Sequence, residues 1–189
     1  MYSLADLTQE QFKECLLAIL PSILSRERGN ISNDYFSVVD YVLECWLGDM
    51  EDYEREEEMY PFMDILFLVI KPHYQYEGIL YRGMSAQVKT RAKGLGIKRY
   101  ASYSDQLEIA KHFAGLSEEY GLSVTKNEHR EVFKIRVKDA FAFDDFLQDY
   151  AEITTSDSLI NQIEEKLYEN EKIYGFNPCT VTKILESFT

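Results

Sequence analysis

Glu169 and Glu171 flank Asn170 at the start of an expected strand over residues 171–176. On an extended backbone alternate side chains share one side, roughly 6–7 Å apart. Two carboxylates so placed suit cleavage of a glycosidic bond. One steadies the positive charge of an oxocarbenium-like transition state and holds a ribose hydroxyl, while the other orients or deprotonates the nucleophile. A solvated, charged helix end is the plainer account, because Glu164 and Glu165 are near. Upstream, Arg82 closes an apolar strand over residues 78–82 and is followed by Gly83. The guanidinium fork suits a phosphate or pyrophosphate, and the glycine lets a ligand approach the backbone closely. Residues 82–99 hold six basic side chains and no acidic one, a local positive island suited to an anionic ligand. A surface salt bridge explains Arg82 alone just as well. Between these segments, Ser102-Tyr103-Ser104 precedes a helix carrying Ala110, Phe113 and Ala114. If extended, its two hydroxyls enter one cleft, where they would orient a carboxylate or a ribose. Capping of the next helix by Ser104 or Asp105 is the alternative.

These residues depend on elements that the pattern predicts. The first 70 residues read as helical. Thr8 with Gln11 forms a capping box, and Phe12, Leu16, Ile19 and Leu20 repeat at helical spacing until Pro21. A second helix starts near Asn33, carries Phe36, Val39, Leu43 and Leu47 on one face and ends at Gly48. Pro61 fits the first turn of a third helix, which Pro72 stops. The pattern then changes. Residues 89–95 read as a polar helix or loop, and residues 107–114 as a helix with Ile109, Ala110 and Phe113 inward. Residues 131–137 alternate like a half-buried strand, 141–143 form a short strand and 156–166 a helix. Strands 171–176 and 180–185 flank a turn at Asn177-Pro178. Helices first and strands later imply an α+β fold, with a helical section over 1–72 and a sheet-bearing core over 73–189, compact as one domain.

Composition narrows the classes. With 189 residues, 46% hydrophobic and 28% charged, the chain buries a real core and is not disordered. Cys15, Cys45 and Cys179 are odd in number and far apart, which argues against a disulfide framework and for a reducing compartment. His73, His112 and His129 show no ligand spacing with them, so no metal site is expected. No signal peptide is apparent, and the apolar run 65–70 is far too short to span a bilayer. These features together predict a cytoplasmic protein. The net charge of −13 is lopsided: residues 1–70 carry −11 and residues 71–189 carry −2, with the acid densest at 49–58. Such a face repels nucleic acid and membranes and attracts a basic protein; a solvated helix surface is the plainer account.

The order of the motifs carries more than any one of them. Leu80-Tyr81-Arg82-Gly83, then Ser102-Tyr103-Ser104 with Ala110, Phe113 and Ala114, then Glu169-Asn170-Glu171 resembles the Arg–Ser–Glu signature of arginine-directed mono-ADP-ribosyltransferases. The likeness is greatest to the small enzymes that tailed phages use on host proteins, and it covers residues 80–185. It implies a split, mixed or antiparallel β-sheet core behind the helical section, with NAD as ADP-ribose donor and no metal. Arg82 would anchor an NAD phosphate and Gly83 would meet the nicotinamide amide. Ser102 would hold the catalytic carboxylate and the nicotinamide ribose, with Tyr103 and Ser104 supporting that strand. Phe113 would wall the nicotinamide pocket, although core packing explains it as well. Glu171 would be the catalytic glutamate, and Glu169 would activate an arginine acceptor on a target protein. The chain departs from the family in the tyrosine at 103 and in a long loop from Asp144 to Tyr168. Asp149 and Glu152 form a second acidic pair there, with Glu152 the rival catalytic carboxylate. Two other classes remain: an inactive relative that blocks a basic partner by binding it, and an acidic DNA mimic.

Overall fold

A computed structural model of the chain describes residues 7–48, 53–86, 100–115, 129–167, 171–174 and 181–186. Its elements run α1 (Gln9–Ser25), α2 (Asn33–Leu47), α3 (Tyr53–Val69), a 3₁₀ turn at Lys71–His73, β1 (Gln75–Ala86), β2 (Ala101–Ser104), α4 (Leu107–Phe113), β3 (His129–Ala142), α5 (Phe143–Ala151), α6 (Asp157–Leu167), β4 (Glu171–Tyr174) and β5 (Val181–Glu186). The fold is therefore α+β with its first three elements helical. It divides into two compact units, one from Met1–Tyr74 and Phe143–Tyr168, the other from Gln75–Ala142 and Glu169–Thr189.

In the helical unit, α1 opens on the expected box. The Thr8 N–H donates to Gln11 Oε1 at 3.0 Å, and the Gln11 N–H donates to Thr8 Oγ1 at 3.2 Å. Pro21 does not end the helix. It sits on the exposed side, so its ring and its missing N–H face water while Phe12, Leu16, Ile19 and Ile23 stay in the core. The chain leaves through Arg26, whose left-handed backbone (φ 57°) returns its N–H to the last turn. Helix α2 matches its expected bounds, from the Ser32 cap to Gly48. Helix α3 does not: it begins at Tyr53, so Pro61 lies inside it and not in its first turn. Apolar burial of Met59, Phe62, Met63 and Leu66 outweighs the single backbone bond that the proline forgoes.

The strand expected at 141–143 is the end of β3 as far as Ala142, whereas Phe143 and the first part of the loop expected after it form helix α5. Phe143, Phe146, Leu147 and Tyr150 recur at i, i+3, i+4, i+7 and are all buried in α5. Helix α6 agrees with expectation, burying Leu159 and Ile163. Polar groups fix the turn between them. Asp40 Oδ1 accepts the hydroxyls of Tyr150 at 2.7 Å and Thr154 at 2.8 Å, and Ser156 Oγ donates to Glu44 at 2.7 Å. Arg28 reaches the Ile153 carbonyl, donates to Asn33 at 2.8 Å and lies 4.0 Å over the ring of Phe36.

The second unit is a sheet whose pairings are all antiparallel among the described residues. Strands β1 and β3 form its spine, from Gln75↔Phe141 to Ala86↔His129, with a register shift between Tyr76 and Gly78. Strand β2 joins β1 at Tyr81↔Ser104, β4 joins β2 along its length, and β4 meets β3 at Phe141↔Ile173 and Ala142↔Lys172. The four strands thus close a circuit, and β5 adds to β3. Leu80, Ala101, Tyr103, Ile135, Val137 and Ala140 pack on one face. The other face carries α4, whose Ala110 and Ala114, with Leu107 beside them, pack on Val132 and Tyr81. The expected strands 78–82 and 131–137 are both longer than their apolar patterns, because each supplies the other's ladder bonds.

Candidate functional site

Strands β1, β2 and β4 place parts of the three motif segments side by side. Tyr81, the neighbour of Arg82, lies opposite Ser104, and Ser104 lies opposite Glu171. Segments far apart in sequence therefore occupy one line across three adjacent strands. Glu171 is described by this ladder position. Glu169 and Asn170 lie outside the described residues, as does most of the basic island, residues 87–99.

The pleat sorts the side chains. Because Tyr81 pairs with Ser104, Arg82 shares a face with Tyr103, not with the serines. Its guanidinium carbon sits 5.5 Å from the centre of the Tyr103 ring, and Nη1 donates to the Ser102 carbonyl at 2.9 Å. The arginine thus clamps β1 to β2 while remaining partly exposed. Tyr103 is buried and fills the sheet core, so its role here is to hold the strand. Its opposite number, Lys172, is also buried, with Nζ 5.5 Å from the Tyr76 ring. This buried lysine between Glu171 and Ile173 was not anticipated. Its place follows from β4 pairing on both sides, which sequence alone does not announce.

The two serines share a face but not an environment. Ser102 is exposed, so its hydroxyl is available to a ligand. Ser104 is buried, and its Oγ accepts the Gln106 N–H at 3.1 Å, shaping the turn into α4. The expected shared cleft for both hydroxyls is thus corrected: Ser104 is committed to the local backbone. Nor does it cap the helix, since the N-cap residue is Gln106.

Gly83 is corrected in the same sense. A Cβ placed there would come within 1.8 Å of the Ala110 carbonyl oxygen and 2.7 Å of the Ala114 nitrogen. The partner that approaches this glycine closely is helix α4. Phe113, expected to face inward, is 49% exposed at the end of α4, with its ring edge-on to His112 at 5.7 Å. Ala110 and Ala114 take the inward positions because the closeness of α4 to β1 leaves room only for small side chains there.

The rival acidic pair belongs to the helical unit. Asp149, on α5, accepts the Tyr74 hydroxyl at 2.8 Å and pairs with Arg26 at 2.8 Å. Burial, with the Asp149 carboxylate second, pushes the Tyr74 phenol well above its usual pKa. Glu152 is exposed just beyond α5 and is not on the ladder of Arg82 and Ser102. Among the described residues no group of His, Cys, Asp and Glu has the geometry of a metal site, and no helix is long and apolar enough to cross a membrane. The chain matches no family model, no curated protein and no solved structure.

Proposed function

We propose that this chain is an NAD-dependent mono-ADP-ribosyltransferase with an ADP-ribosyltransferase-like sheet core, acting in a reducing cytoplasm on arginine of a basic target protein. The observation that carries this reading is the alignment of Tyr81, Ser104 and Glu171 across β1, β2 and β4, which gathers three motif segments on neighbouring strands.

Part of the donor set fits NAD as substrate. Ser102 provides an exposed hydroxyl and Phe113 an exposed ring for the flat nicotinamide, whereas Arg82, a partly exposed cation suited to the pyrophosphate, shares the face of Tyr103 and not that of Ser102. Gly83 fits less well, since α4 covers its Cα. On this reading Ser102 orients the Glu171 carboxylate. Glu171 stabilises the positive charge that grows on the ribose as the bond to nicotinamide breaks. Glu169 takes the proton from the acceptor guanidinium, which then forms the new bond to the ribose carbon.

A second reading, a catalytically silent relative that acts by binding a basic partner, draws on one observation. Arg82, Gly83 and Ser104 each already serve the sheet: a clamp on the Ser102 carbonyl, a seat for α4 and a turn bond to Gln106. Labelled NAD added to a cell lysate separates the two. Transfer of label to protein by the wild-type chain, lost in Glu171→Ala, supports the transferase. No label and no nicotinamide release from folded protein that still binds NAD supports the binder. No NAD binding at all would leave the three motifs as coincidence and the acidic face of the first 70 residues as the better lead.

A further inference from the structure

Helix α1 carries an outward stripe that the fold does not use. Leu17 and Leu24, seven residues apart and so nearly superposed along the helix, are 47% and 46% exposed, and exposed Pro21 lies between them. Exposed Glu10 and Glu14 continue the same stripe toward the N-terminus, and exposed Glu27 follows the helix. Of the cations nearby, Arg26 pairs with Asp149 and Arg28 holds Asn33, the Ile153 carbonyl and the Phe36 ring, while the partly exposed Lys13, four residues before Leu17, leaves the stripe net acidic against Glu10, Glu14 and Glu27. The last turn of α1 has no basic residue to balance the negative end of its dipole. Pro21, having no N–H, cannot make the helical bond to the Leu17 carbonyl, so an acceptor sits within the apolar stripe.

We propose that this face docks a basic amphipathic helix of another protein, its apolar side chains on Leu17, Pro21 and Leu24 and its lysines or arginines against Glu10, Glu14 and Glu27. The stripe from Glu10 to Leu24 is about 21 Å long, matched by a partner helix of about 14 residues. A second copy of the chain is a poor occupant because it brings another −13 of like charge, and an anionic membrane is repelled for the same reason. The inference does not depend on the transferase reading.

The probe is a labelled, helical Lys/Leu amphipathic peptide of about 14 residues, titrated into the full chain and followed by anisotropy. Binding should weaken about tenfold or more in Leu17→Asn/Leu24→Asn, and severalfold between about 50 mM and about 500 mM salt. Glu10→Lys/Glu14→Lys should weaken binding at low salt and flatten that salt response. Both leucines are exposed, so circular dichroism and Tm of the double variant should match the wild type, leaving the loss attributable to the face. Equal affinity of the wild type and the leucine variant, or no binding at low salt, overturns the proposal. So does self-association in sedimentation that the leucine variant abolishes, or binding to neutral phosphatidylcholine vesicles that it abolishes.

Discussion

The carbonyl oxygen of Ala110 lies directly over Gly83: a β-carbon on that glycine would stand 1.8 Å from it. The obstruction is helix backbone, which cannot turn aside as a side chain can. Gly83→Ala must therefore push α4 off β1 and open the contact of Ala110 and Ala114 with Val132. Overpacking of ordinary cores costs about 1–3 kcal/mol, and a backbone clash this deep belongs at or above the upper end. Urea unfolding without NAD should show this loss. A glycine kept only for ligand approach would give a stable Gly83→Ala protein with weakened NAD affinity, and that outcome would remove the assignment of Gly83 to α4.

Ser102 and Ser104 should separate cleanly on substitution. Ser104→Ala removes the acceptor of the Gln106 N–H and should cost about 0.5–1.5 kcal/mol of stability. Ser102→Ala loses an exposed hydroxyl and should leave the unfolding midpoint unchanged. If that hydroxyl orients the Glu171 carboxylate, kcat/KM for transfer should fall about 10- to 100-fold, the worth of one charge-assisted hydrogen bond. Matching stability and activity losses in the two variants would refute the division of roles.

Asp40 gives a pH prediction. Burial raises its pKa from the ordinary 3.8, opposed by the Tyr150 and Thr154 hydroxyls and by Arg28 and reinforced by Glu44. A raised native pKa means that the folded chain holds this proton more tightly than the unfolded chain does. Stability therefore falls as pH rises from 3.8 through the native pKa, and the penalty is complete above it. Asp40→Asn keeps an oxygen to accept both hydroxyls and discards the buried charge. It should equal or exceed the wild type in stability near neutral pH, with the difference closing on acidification. Asp40→Ala strands the Tyr150 hydroxyl, which is fully buried, and should cost about 1–3 kcal/mol. Thermal melts of the three proteins across pH test the sign.

What the sequence disclosed follows from where its signals are local. The α1 capping box, the bounds of α2 and the alternation at 131–137 rest on contacts within a few residues, and each was legible. Pro21 and Pro61 misled because a proline stops a helix only when packing does not hold the chain helical on both sides of it. Helix α5 was hidden because Asp144, Asp145 and Asp149 interrupt the stripe of Phe143, Phe146, Leu147 and Tyr150, so the residues from Asp144 onward read as a loop. At the site, the three strand-borne segments could be found by residue type. The use of Gly83 as a seat for α4, the commitment of Ser104 to Gln106 and the burial of Lys172 could not, because each depends on which distant element packs alongside.

The proposed chemistry makes its sharpest demand on the two glutamates. Breaking the bond between ribose and nicotinamide is common to NAD hydrolysis and to transfer, whereas proton removal from the acceptor arginine belongs to transfer alone. Glu171, opposite Ser104 on the central ladder, is assigned the shared step. Glu171→Ala should therefore depress nicotinamide release and protein labelling together, by about 10²-fold or more. Glu169→Ala should spare most nicotinamide release, with water as acceptor, and reduce labelling by a larger factor. Glu169→Asp and Glu171→Gln keep polarity while changing reach or charge, which guards against a local structural cause. If the two alanine variants retain labelling equally, or if Glu169→Ala loses nicotinamide release as severely as Glu171→Ala, the roles assigned to the pair are wrong. If Glu152→Ala abolishes both reactions while Glu171→Ala is silent, the catalytic carboxylate resides instead in the helical unit.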